Sequence, residues 1–582
     1  MNSRSSKLWS LFSSPKGPEF RRKLLSIFLI WAAAIIFTVV YVSHETPGYF
    51  WDYFNYWKQL IDITSILKSG DIQLFASELI QSLRTSDYNI SPILPLIPVS
   101  IATQGSRLGF IAGLVAVHLV PATLVLSFMT RECWKGVGKQ MPIIATLGLF
   151  ILYPNFWGVT MLGYPDIAGL VPLGLAAILI LRTEWLTQAN RRESGVIGLL
   201  FWATFLLRRH FAYTILATII MTVVFAGITI LRQQKRRPHK MFAGLIQNLV
   251  ILAGSFLVPA ILVQGPLILK VLNTSYGDLY SAYQADWQTN LQFFYSLNGP
   301  LWSLLLLSGI VYSLTQRNLK GLFCLLTGLL SYVLFQRVQT PNPHHCLAFA
   351  LWFLPVAAWP LHLICKQATA VRRLWFEWLL IGLMFVVSMP ALAWPRLAEL
   401  PLFKWSQPLS PGFKFPPFRL TSYETVQAIA NQFATDEYRN KKIWVLASST
   451  QLNASMLDSI NYDHLNRIRF SGDVDKRDGF QAAGALSADY AVTTSKPATH
   501  LRPEDQQVVV IPNQALLDPQ SPLRQLFTPI SHPPYKLADG SSVLLFKRTP
   551  GSSQPSIEWL EKQFQKVYPD WKYHDGVIGP GG

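Results

Sequence analysis

The feature that most constrains this chain is a series of apolar runs, each long enough or nearly long enough to cross a bilayer, separated by short basic segments. The first is Leu24–Val42. Others follow at Leu108–Met129, Met141–Tyr153, Ile167–Leu181, Gly195–Leu207, Phe211–Leu231, Met241–Val263, Pro300–Leu314, Gly321–Phe335, Cys346–Cys365 and Leu374–Trp394. Backbone N–H and C=O groups in hydrocarbon find no water and must bond internally, which for runs of this kind means helices. The expected fold class is therefore an all-α polytopic membrane domain of about eleven transmembrane helices, with a C-terminal soluble α/β domain on the outer side. A content of 51% hydrophobic and 14% charged residues agrees. The net charge of +18 would suit a nucleic-acid binder, but the basic residues lie between the apolar runs, so no nucleic acid is expected and the bilayer is the partner. Cys133, Cys324, Cys346 and Cys365 have no CxxC spacing and indicate neither a disulfide framework nor a zinc site.

Residues 1–23 carry Arg4, Lys7, Lys16, Arg21, Arg22 and Lys23 and read as a cytoplasmic N-terminus. No small-residue cleavage site follows Leu24–Val42, so that run is an uncleaved anchor. When alternate loops are assigned to opposite sides, the inside set holds 22 Lys and Arg. The outside set is Lys58, Lys68, Arg84, Arg208, Arg209, Lys270 and Arg337. The transmembrane domain spans 24–394, with a large first outer loop at 43–104 in which Leu60, Ile63, Leu67 and then Ile72, Phe75, Leu79, Leu83 predict two interfacial helices broken at Gly70. A Pro-rich linker at 395–418 leads to an α/β domain at 419–548 and a tail at 549–582. In that domain Ile443–Ala447, Tyr490–Val492 and Val508–Ile511 read as strands and Asp539-Gly540 as a hairpin turn. The tail has a short amphipathic helix at Ile557–Val567 and then a Gly-rich end expected to be disordered.

The stretch Tyr49–Trp57 holds one carboxylate, Asp52, among aromatic rings that favour the level of lipid headgroups. Other polar residues gather at the same ends of different runs: Asp166 before the fourth, Arg208-Arg209-His210 after the fifth, and Arg337 with His344-His345 between the ninth and tenth. Each alone reads as a loop residue at a helix end. Together on one face they point to a shared cavity, because desolvating charge at a membrane is costly. Such a set suits glycosyl transfer from a lipid-phosphate sugar. Asp52 would take the proton of an acceptor hydroxyl, and Arg208, Arg209, Arg337, His344 and His345 would hold the donor phosphate. Asp166 is a second acid that could hold an acceptor or share a divalent metal with Asp52.

An acid in the first outer loop, interfacial helices after it, a second acid before the fourth run, basic residues at outer helix ends and a C-terminal outer domain together resemble the GT-C superfamily of integral-membrane glycosyltransferases. The likeness is closest to the bacterial members related to protein mannosyltransferases and aminoarabinose transferases. It implies a polyprenyl-phosphate sugar donor, a lipid, glycan or protein acceptor, inversion at the anomeric carbon and a bacterial inner-membrane location. The family's first-loop acid matches Asp52. Trp51-Asp52-Tyr53 holds a single carboxylate where members frequently carry an adjacent pair, which leaves metal dependence open.

Asp473-Val474-Asp475 has the DxD pattern of nucleotide-sugar enzymes but reads as a solvated loop. His118 reads as a histidine bonded within the helix bundle. The rivals from other classes are a lipid or solute transporter, which would need polar contacts at mid-depth and broken helices, and a non-catalytic sensor, which would not need the acids and bases at the helix ends.

Overall fold

The computed structural model describes residues 18–46, 48–137, 141–232, 238–367, 370–388, 399–401, 404, 409, 416–460, 467–530 and 535–580. The basic segment before residue 18 and most of the Pro-rich linker lie outside them. Within these residues each apolar run falls on a helix, and among them eight helices are long and apolar enough to cross a membrane. They are Phe20–Val42, Arg107–Cys133, Pro165–Arg182, Arg209–Arg232, Pro238–Asn273, Trp287–Thr315, Leu319–Gln336 and Leu347–Ile364. The chain is thus a multi-pass membrane protein. The pair Ile143–Ile151 and Pro154–Met161, bent by 56° where Tyr153 turns extended ahead of Pro154, has the geometry of a broken span or a re-entrant loop. The other two expected runs form Arg191–Leu207, a 17-residue helix closed by an Asn190/Glu193 capping box, and Ala370–Ser388.

Two of the crossings are interrupted. Pro238–Asn273 breaks at Gln264 between Pro259 and Pro266, and Trp287–Thr315 breaks at Gly299, whose φ of 71° suits glycine, just before Pro300. At 36 residues the first is roughly 54 Å long and outreaches the hydrocarbon of a bilayer. Both loop helices form, as Asp52–Lys68 and Ile72–Thr85, with Gly70 at φ 79° between them and Asp71 capping the second.

The C-terminal unit is built on a sheet of β1 (Ile443–Leu446), β2 (Ile468–Arg469), β3 (Tyr490–Thr494), β4 (Phe527–Pro529), β5 (Tyr535–Lys536) and β6 (Ser542–Arg548). Its order is β2-β1-β3-β6-β4, with β5 also on β6; β1 is parallel to β2 and β3, and β6 is antiparallel to β3. The Asp539-Gly540 turn joins β5 to β6. Val508–Ile511, expected as a strand, lies instead in the helix Gln507–Leu517, where a buried apolar run serves either structure and the Asp475 carboxylate fixes the helix by capping Gln507 and Val508. In the tail the expected amphipathic helix forms, while the end expected to be disordered makes a hairpin. The helix Gln554–Gln565 and a second hairpin, β7 (Trp571–His574) and β8 (Val577–Pro580), bury Leu560, Phe564, Trp571 and Ile578 in one core with Trp444 and Phe480, so the unit continues to Pro580.

This unit grips the segment after the first helix. Thr46 N–H donates to the Phe418 carbonyl and Leu420 N–H to Thr46 Oγ1, both at 2.8 Å. Phe50 is buried in a core with Val426, Ile429, Val445 and Leu457.

Candidate functional site

Asp52 opens the helix Asp52–Lys68, and Trp51 sets its direction. Trp51 has φ 49° and ψ −134°, a strained conformation for a non-glycine residue that costs about 1–3 kcal/mol. An acid in the first turn complements the helix dipole. The Asp52 side chain is half-buried and accepts no hydrogen bond from any described residue. Burial pushes its carboxyl above the usual range, while Arg208 and Arg477, approaching from different parts of the molecule, oppose that rise.

A buried charged layer lies next to it. Asp166, in the turn Pro165–Gly169, is fully buried with Arg208 Nη2 2.8 Å from its Oδ1. Arg208 ends the helix Arg191–Leu207, donates to the Tyr56 hydroxyl and sits 5.2 Å from the Tyr56 ring and 5.6 Å from the Tyr88 ring. His210 Nε2 is 3.7 Å from the same Asp166 oxygen. The His344 ring stacks on Tyr164 at 4.4 Å, and the His345 ring lies 3.9 Å from His344 and 4.9 Å from His210. Burial, helped by Arg208, pushes His345 down to about 3. Burial and His345 hold His344 well below its usual value, so both are neutral imidazoles near pH 7.

The structure thus brings together Asp52, Asp166, Arg208, His344 and His345. It does not bring in the other two expected residues. Arg209 pairs with Asp87, which also holds Lys270 at 2.9 Å, and its guanidinium covers the Tyr276 ring at 4.5 Å. The Arg337 side chain is exposed and makes no ion pair or hydrogen bond among the described residues. Arg208 Nη2 takes Oδ1 of Asp166, and among the described residues no group of three His, Cys, Asp or Glu is placed to hold a metal ion.

The C-terminal unit reaches the same place with the carboxyl ends of its parallel strands. Beyond β2, Arg477 is held by Asp478 (Nε to Oδ1, 2.8 Å; Nη2 to Oδ2, 2.9 Å) and by Asp473, which leaves Nη1 directed at the Tyr283 hydroxyl, 3.4 Å away. Burial, against the pull of Arg477, pushes Asp473 up to about 7. The Asp473-Val474-Asp475 segment is therefore a buried one rather than a solvated loop, and Asp475 also accepts from the Tyr568 hydroxyl at 2.6 Å. His500 places its ring 4.5 Å from that of Trp51 and its Nδ1 3.0 Å from Ser448 Oγ.

Sequence reasoning passed over Arg107, Arg477 and His500. Arg107 ties the two acidic segments together, donating to the carbonyls of Tyr53 (2.7 Å) and Leu162 (3.1 Å), with its guanidinium 4.1 Å from the Tyr49 ring. An arginine opening an apolar run was the available signal, since it has to be partnered there. For Arg477 the signal was a lone arginine among Asp473, Asp475 and Asp478. His118 bonds the Pro92 carbonyl at 2.7 Å, within the bundle. Compared with family models and with curated proteins, the chain matches none.

Proposed function

We propose that this protein is a membrane glycosyltransferase that moves a sugar from a polyprenyl-phosphate donor to a hydroxyl-bearing lipid, glycan or protein acceptor on the outer face of a bacterial inner membrane. The observation that carries this reading is the Asp52 carboxylate: without a hydrogen-bond partner among the described residues, half-buried, and within electrostatic reach of two guanidinium groups. A carboxylate so placed can accept the proton of an acceptor hydroxyl as its oxygen attacks the anomeric carbon. The bond from that carbon to the phosphate oxygen breaks as the new one forms, and the phosphate leaves with the electron pair. Inversion follows from attack opposite the leaving group. Arg208, fixed by Asp166 and Tyr56, is the cation suited to the departing phosphate, and His344 and His345 offer neutral N–H groups rather than charge. Arg209 and Arg337 would act outside this centre, at the rim where a lipid headgroup arrives. The outer location rests on the distribution of Lys and Arg among the loops.

The breaks at Gln264 and Gly299 favour a second reading, a transporter, because discontinuous helices are common where substrate binds at mid-depth. The ionisable groups, however, gather with Asp52 at the helix ends. The test is the full-length protein in lipid nanodiscs, offered a panel of polyprenyl-phosphate hexoses and pentoses with membrane lipid as acceptor. Release of polyprenyl phosphate that depends on Asp52 is expected. Donor movement across proteoliposomes without such release would instead establish the transporter.

A further inference from the structure

Every residue of the turn that precedes Asp52 is fixed by the C-terminal unit. A Cβ on Gly48 would come 2.9 Å from Leu420 Cδ2, so that residue packs without space to spare. Tyr49 N–H donates to Ser459 Oγ at 2.9 Å, and Phe50 is 4% exposed in the core of the unit. The indole of Trp51 lies edge-on to Phe50 at 4.7 Å and against the His500 imidazole at 4.5 Å. His500 is itself held, its N–H donating to Gln506 Oε1 at 2.8 Å and its ring bonded to Ser448. Burial pushes it down to about 4, so the ring contact is between neutral groups near pH 7. Trp51 meanwhile keeps a positive φ that a tryptophan does not adopt without outside support.

We propose that the C-terminal unit is a positioning module for the site, with His500 and the pocket around Phe50 holding Trp51 in the strained turn that presents Asp52. His500 is a positioning residue, acting on Asp52 through Trp51. The catalytic consequence rests on the reading of Asp52 as the base, whereas the positioning itself does not.

The experiment uses the full-length protein with Asp52→Cys and Cys365→Ser, since Cys133, Cys324 and Cys346 are buried. The rate at which N-ethylmaleimide modifies position 52 is followed by intact mass. Adding His500→Ala should raise that rate at least about tenfold by opening the turn, and His500→Phe, which keeps a ring, should bring it back to within roughly twofold of the parent. Ser459→Ala removes the bond to Tyr49 without touching His500 and should raise the rate by a smaller factor, which keeps the test valid if His500→Ala unfolds the unit. Rates that stay at the parent value in both alanine variants overturn the proposal. In the protein with Asp52 intact, His500→Ala should lower kcat for polyprenyl phosphate release about tenfold with KM nearly unchanged, and His500→Phe should recover most of it. A labelling response in a protein that turns over no donor would support the positioning and defeat the glycosyltransferase reading. Turnover with insensitive labelling would do the reverse.

Discussion

A general base has to be ionised when substrate arrives and free of competing partners, and Asp52 meets the second condition directly, since no described residue donates to it. Asp52→Asn keeps the size and removes proton acceptance, so transfer should fall on the order of 10²- to 10⁴-fold with donor binding nearly unchanged. Asp62→Asn is the control, because Asp62 pairs with Lys58 at 3.1 Å on a more open face of the same helix. Equal losses in the two variants would remove Asp52 from the mechanism. The first condition is set by charge. Burial raises the Asp52 carboxyl, and the groups facing it are the guanidiniums of Arg208 and Arg477, the Asp166 carboxyl, and the phenols of Tyr53, Tyr56, Tyr88 and Tyr164, which burial keeps neutral. Because the ionised form is lost as pH falls through a raised value, the acid limb of the rate profile should lie above that of an ordinary aspartate. Arg477→Gln removes a charge that favours ionisation and should move that limb to still higher pH. A rate profile with an unmoved acid limb in that variant would show that Arg477 does not act on Asp52.

Two helix ends share the buried charge of the site, and that sharing decides what happens when one partner is removed. Arg208→Ala would leave the Asp166 carboxylate, with 0% exposure, without its guanidinium and should destabilise the helix bundle by about 3–5 kcal/mol. The double change Asp166→Asn with Arg208→Gln leaves no unpaired charge and should regain most of that loss. Thermal unfolding of the purified protein in one detergent, compared across the three forms, measures both effects. At this scale the sequence was informative where periodicity or turn chemistry acts alone. Leu60, Ile63 and Leu67 read as a helix and form one, and Asp539-Gly540 reads as a hairpin turn and makes one. It was silent or misleading where a distant partner decides. Nothing local distinguishes Val508–Ile511 as a helix until Asp475 arrives to cap it, and the pairing of Arg208 with Asp166 is likewise a tertiary fact. The tail carries a local signal as well: Asp575-Gly576, at φ 48° and 86°, is the same kind of hairpin turn, between β7 and β8.

For the whole molecule, the grip of the C-terminal unit on the first loop constrains the number of crossings. Thr46 follows the first span directly and bonds Phe418 and Leu420, so the chain must cross the membrane an even number of times between them. Eight spans among the described residues would leave seven crossings in between and put the two segments on opposite sides, whereas counting the bent pair as one span makes nine and restores contact. Adding both Arg191–Leu207 and Ala370–Ser388 as spans keeps the parity, while adding only one of them breaks it. The pair Ile143–Ile151 and Pro154–Met161 is therefore a full crossing when those two helices are treated alike. The excess of Lys and Arg in the alternate loops is the ground for the expected direction. Single cysteines at the exposed positions Gln73, Glu558 and Gln188 test parity and direction together when intact cells are treated with a membrane-impermeant thiol reagent. Gln73→Cys, in the first loop, and Glu558→Cys, in the C-terminal unit, should both be labelled, and Gln188→Cys should be protected until the cells are opened. Labelling of only one of the first two would contradict the parity and with it the shared site. Protection of both, with labelling at position 188, would turn the molecule over and leave Asp52 facing the cytoplasm.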